Sequence, residues 1–165
     1  MRALAIPWGI GGSVALLVDA LRRLAPVAAE GLSAELSAPH LAFLALWLPG
    51  MAWAEGYRGF HQRFAPRLVA RALHLRDHPH PLRLLLAPAF CMGLFHATRR
   101  RVIATWALFA GIVALVLFVR ELAQPWRGLV DLGVVLGLGI GTLSILVHTA
   151  RAVATGRSEV DPELA

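Results

Sequence analysis

Lysine is missing from this chain. All 16 basic residues are arginine, set against 10 acids, for a formal net charge of +6. Cysteine occurs once, at Cys91, which excludes an internal disulfide framework and any thiolate metal cage built by one chain. Charge of either sign is scarce, at 16%, compared with about 25% in soluble domains. A Gly-rich phosphate loop, a serine nucleophile elbow and a zinc-protease helix are all lacking, which removes the main motif-bearing enzyme classes. Internal repeats of the kind that mark inverted-repeat transporters are lacking too. What the 165 residues do hold is apolar side chain, 58% of the total, at a mean hydropathy of +0.64. That composition argues against a water-soluble globule and for one membrane domain over residues 1–165. Arginine without lysine suggests a GC-rich bacterial source.

Crossing a bilayer takes about 20 mostly apolar residues, because lipid offers the backbone no hydrogen-bond partner and a helix satisfies its own. Val102 to Val119 is uncharged and lies between Arg99, Arg100 and Arg101 on one side and Arg120 and Glu121 on the other. Residues 129–150 form a second such stretch. Residues 36–54 form a third, with Pro39 and Pro49 inside it and Glu55 at its end. Residues 3–24 make a fourth, although Asp19, Arg22 and Arg23 fall near its end, and a helix lying in the interface or a secretory signal are alternative readings.

Between Tyr57 and Arg101 nine arginines face one acid, Asp77. Arg-rich connections stay cytoplasmic, which places both termini inside, in a bacterial inner membrane, and leaves Arg22 and Arg23 as the local conflict. Within the basic connection 57–101, Pro66 to Leu75 reads as a helix with Arg63, Arg67, Arg71 and His74 along one stripe. Pro79 and Pro81 end it. Leu84 to Thr98, about 22 Å as a helix, is too short to cross and reads as a second, non-crossing helix. The expected fold is therefore an all-α integral membrane protein of about four transmembrane helices with a cytoplasmic, amphipathic and interfacial helical hairpin. The tail after Thr155 reads as short, polar and disordered.

Several constellations could carry function. Gly133, Gly137 and Gly141, continued by Ser144, form a smooth ridge for helix packing in lipid, either within the bundle or against another subunit. His96 and His148 fall at similar depth and could ligate a haem iron. His74, Asp77, His78 and His80 bear metal-ligand side chains, without a familiar zinc spacing. Arg63, Arg67, Arg71, Arg99, Arg100 and Arg101 form a basic surface for anionic lipid headgroups or a partner, with nucleic acid disfavoured because lipid would compete for the same charges. Asp131 reads as an acid at a helix N-terminus, and no acid falls clearly at mid-depth, which counts against proton-coupled transport. Trp8, Trp47, Trp53, Trp106 and Trp126 suit interfacial belts.

The leading expectation is a structural, assembly or accessory membrane protein, homo-oligomeric or joined to another subunit, and not an enzyme. A haem or metal redox protein and a small oligomeric transporter or channel are the alternatives. A lipid enzyme using Glu55, Tyr57, Arg58 and His61 ranks last.

Overall fold

The first helix does not stop where its charges begin. In the computed structural model, which describes residues 2–158 and 160–164, α1 runs from Arg2 to Ser33. The Arg23 guanidinium donates to Asp19 at 2.7 Å one turn back, so the pair is satisfied on the helix itself and does not terminate it. Pro26 removes one hydrogen bond without ending the helix.

Next come α2 (Ala38–Met51), a π-helical segment (Ala52–Phe64) and α3 (Ala65–Asp77). They form one continuous rod, since the junction residues Ala52 and Ala65 both keep right-handed helical dihedrals. Two short helices follow, α4 (Pro81–Leu85) and α5 (Ala87–Cys91), then α6 (Arg99–Arg120) and α7 (Trp126–Thr155). No strand occurs among the described residues.

Three helices are long and apolar enough to cross a bilayer: Leu4–Ser33, Arg99–Arg120 and Trp126–Thr155, with mean hydropathies of 1.7, 2.7 and 2.1. Residues 36–54 are not among them. Their apolar α-helix, α2, has only 14 residues, and the chain then continues into a segment holding Glu55, Arg58 and His61.

α7 is the axis of the fold. α1 crosses it where two glycines meet: a Cβ on Gly31 would lie 2.6 Å from the Gly128 Cα. α2 and the π-helical segment line its other side. The principal core lies around α3 and α5 and not among the long helices. There Leu68, Val69, Ala72 and Leu75 of α3 enclose Ala87, Phe90 and Cys91 of α5 against Ala5 and Ile10 of α1. α1 receives α5 on a face of small residues, since a Cβ on Gly9 would come within 2.8 Å of the Cys91 sulfur.

Two expectations are corrected here. Leu84 to Thr98 is not one helix. It breaks at Leu86, restarts as α5 with Pro88 in its first turn, and ends at Gly93, whose φ of 82° an L side chain rarely adopts. The tail is also ordered among its described residues. The Thr98 N–H donates to the Glu163 carbonyl at 3.2 Å, and Leu164 packs against the core.

Candidate functional site

The glycine ridge of α7 is filled by the chain's own rod. A Cβ at Gly133 would collide with the Trp47 indole, and one at Gly141 with the Phe60 ring. At Gly137 it would lie 2.9 Å from Glu55 Oε2. Removing three Cβ atoms lets large side chains of the rod reach the α7 backbone. The Trp47 N–H then donates to the Val130 carbonyl at 3.2 Å. Gly139 meets nothing within 4 Å.

This packing sets Glu55, half-buried, against the face of α7. It lies against Gly137, well within the apolar part of α7, although as the residue closing an expected span 36–54 it belonged at a surface. The π-helical rod carries it past that point. Glu55 forms no hydrogen bond or ion pair among the described residues. An acid beside a membrane-embedded helix is costly to keep there and marks function by default.

Two turns further along, His61, Ser144 and His148 converge. In a π-helical ladder the His61 carbonyl would accept from residue 66, as the Phe60 carbonyl accepts from Ala65. Residue 66 is Pro66 and has no N–H to give. His148 Nε2 donates to that carbonyl instead, at 3.1 Å. The Ser144 hydroxyl donates to the Ile140 carbonyl at 2.8 Å, so at its 3.3 Å contact with Ser144, His61 Nδ1 is the donor. Trp53, Tyr57 and His61 stack in sequence, with centroids 5.2 and 5.6 Å apart, and the His61 ring lies 4.9 Å from that of His148. Acid, imidazoles and hydroxyl thus share one seam, with donors and acceptors suited to holding or passing a proton. π-Helical segments are rare and concentrate at functional sites.

The other candidates fall elsewhere. His96 is exposed on the loop before α6, with φ of 48° and its ring against Phe95. His74 stacks on His78 at 4.7 Å, Asp77 accepts from Arg76 at 2.8 Å, and His80 caps α4. Burial and the neighbouring cations lower the His74 pKa, so its neutral form is favoured. Among the described residues no three His, Cys, Asp or Glu side chains are grouped to hold a metal ion.

Of the basic set, Arg63, Arg99 and Arg100 are exposed, Arg101 is half-buried, and Arg67 pairs with Glu163 at 3.1 Å. Arg71 is a correction: at 2% exposed it belongs to no surface. It donates to the carbonyls of Phe90 (2.8 Å), Phe95 (3.5 Å), His96 (3.3 Å) and Glu163 (3.1 Å) and lies over the Phe90 ring. The Phe90 and Glu163 carbonyls also accept from the Gly93 and Thr98 N–H groups, and the guanidinium fork joins them to the Phe95 and His96 carbonyls of the irregular chain after α5. Burial, reinforced by Arg101, pulls its pKa below the ordinary value, yet an arginine starts high enough to remain charged. Burial pushes the Cys91 thiol up to about 12, with Arg71 opposing the shift. Cys91 is therefore inert in the native fold.

No family model, curated protein or solved structure matches this chain.

Proposed function

We propose that this is a multi-pass protein of a bacterial inner membrane, acting as an assembly or accessory subunit through α6. On this reading α2 with the π-helical segment makes a fourth pass, and the α3 to α5 hairpin lies on the cytoplasmic side with both termini. The observation that carries the proposal is the state of α6. It is apolar all round, only Val119 of its 22 residues is buried, and it touches α7 lightly. The glycine ridge is already occupied by Trp47, Glu55 and Phe60, so α6 is the helix left free to pack against a second copy or another subunit. A photoreactive residue at Leu108 or Leu115, activated in native membranes, tests this. A discrete protein adduct from α6 is expected, and adducts with lipid alone would overturn it.

A second reading, proton- or cation-coupled transport, is favoured by half-buried Glu55 against Gly137, on the same side of α7 as the His61, Ser144 and His148 seam. Liposome flux that disappears in Glu55→Gln would support it, and wild-type liposomes as tight as empty ones would remove it.

A further inference from the structure

Away from this seam, α1, the end of α6 and the start of α7 line a cleft of about 280 Å3. Leu24, Val27 and Val116 give it apolar lining, and Arg23, Arg120, Arg127 and Asp131 give it charged lining. Asp131 is 7% exposed. It sits one turn inside α7 and not at the helix start where its sequence position suggested a dipole-capping acid. The four charges are unequally satisfied. Arg23 is bonded to Asp19 at 2.7 Å. Arg120 and Arg127 form no ion pair among the described residues, and the Arg127 Nε is buried with no hydrogen-bond partner. A buried guanidinium donor left unmade costs more than a made one contributes, so the cleft favours a ligand that brings an acceptor.

We infer that this cleft binds the headgroup of an anionic glycerophospholipid. Its phosphate would accept from Arg120 and Arg127, its headgroup hydroxyl or amine would donate to Asp131, and an acyl chain would lie along Val116 and Leu24. Charge-assisted bonds from guanidinium to phosphate supply the polar part. The apolar lining is what a soluble oxoanion would leave unused. Asp131 is what a headgroup without a hydrogen-bond donor would leave unused.

The test is native mass spectrometry of the delipidated full-length protein with phosphatidylglycerol, phosphatidylcholine of the same chains, or inorganic phosphate. Wild type is expected to retain one phosphatidylglycerol at concentrations about tenfold below those needed for phosphatidylcholine, the equivalent of one charge-assisted hydrogen bond. Arg120→Gln with Arg127→Gln is expected to weaken retention of both lipids, whose phosphates are alike, and Asp131→Asn to narrow the gap between them. Arg151→Gln with Arg157→Gln, exposed and outside the cleft, should leave it unchanged. Circular dichroism and elution volume check folding, and Arg120→Gln alone, on the exposed rim, keeps a readout if the double variant does not fold. Equal retention of the two lipids, or a double variant that binds like wild type, overturns the inference. Millimolar phosphate that displaces phosphatidylglycerol from wild type overturns the lipid assignment in favour of a soluble oxoanion.

Discussion

α3 and α6 invert the usual relation between polarity and burial. α3 carries Arg67, Arg71, His74, Arg76 and Asp77 within 13 residues, yet nine of those 13 are buried. α6 is uncharged from Val102 to Val119, yet Val119 alone is buried. On the membrane reading proposed above, the medium accounts for the inversion. Lipid is as apolar as leucine, so a helix in the bilayer needs no protein over its apolar side chains. A helix outside the hydrocarbon, where the proposed function puts α3, must cover its own, and α3 packs between α1, α5 and α7. Hydropathy therefore reports which solvent a helix occupies, while burial by protein reports where the chain needs specific contacts.

Arg71→Leu should break that comparison most severely. It keeps α3 apolar but takes the guanidinium from four carbonyls at once. Those of Phe90 and Glu163 keep the Gly93 and Thr98 N–H groups, while those of Phe95 and His96 lose their donor among the described residues, each worth about 1–3 kcal/mol when left buried and unmade. The expected result is a loss of several kcal/mol, or roughly 10 °C in Tm, followed by tryptophan fluorescence in detergent. Arg71→Lys should recover part of it, because an ammonium retains the charge but cannot reach all four acceptors from one point. An Arg71→Leu protein as stable as wild type would mean that the carbonyl cluster does not hold the hairpin.

Next in size is the same truncation made in both helices. Leu75 is fully buried, and Leu108 is 63% exposed. Leu75→Ala should cost about 2–5 kcal/mol as a core cavity. Leu108→Ala should stay within about 0.5 kcal/mol, as surface changes do. Chemical denaturation of both variants gives the ratio. If Leu108→Ala were as costly as Leu75→Ala in the purified protein, α6 would have to be covered by protein there, which would sharpen the case for a partner.

The long helices were legible from residues because uncharged length has few alternative explanations: 102–119 became Arg99–Arg120, and 129–150 became Trp126–Thr155. The failures share a cause, which is that a side chain's partner cannot be seen in one dimension. Arg71 sits in register with Arg63 and Arg67 and reads as part of a solvated stripe, until the loop after α5 supplies it with carbonyls. Glu55 follows an apolar stretch and reads as a terminus, because nothing in local pattern announces that helix continues through Gly56 and Gly59. The glycines at 133, 137 and 141 were readable as a ridge, but not that Trp47, Glu55 and Phe60 would occupy it. Gly31 and Gly128, where the α1 and α7 backbones touch, lie 97 residues apart and form no local motif.

A smaller effect concerns Cys91, which tests the enclosure of the α3 side. The thiol is held neutral by burial, with its pKa pushed up to about 12. A maleimide should not label it at neutral pH until the protein is denatured. In contrast, Arg100→Cys, at the exposed start of α6, should label at once in a Cys91→Ala background. The pH dependence has a definite sign. The unfolded thiol loses its proton near its ordinary value, about 8.5, while the folded one keeps it. The unfolded state therefore binds fewer protons across that interval, and stability falls as pH rises through it. Cys91→Ala should flatten that alkaline slope, and an unchanged slope would place its origin elsewhere.

The smallest expected change separates the Glu163 side chain from its backbone. The carboxylate pairs with Arg67 at 3.1 Å, with side chains 30% and 36% exposed on the arginine and glutamate sides, and such half-open pairs contribute about 0–1 kcal/mol. The Glu163 carbonyl accepts from both Arg71 and the Thr98 N–H, and substitution of the side chain leaves that carbonyl in place. Glu163→Gln should therefore shift Tm only slightly and keep the Thr98 amide protected from hydrogen exchange, whereas truncation after Val160 should expose it. Loss of Thr98 protection in Glu163→Gln would assign tail docking to the ion pair. Retained protection after truncation would mean that the tail covers an amide already shielded by the start of α6.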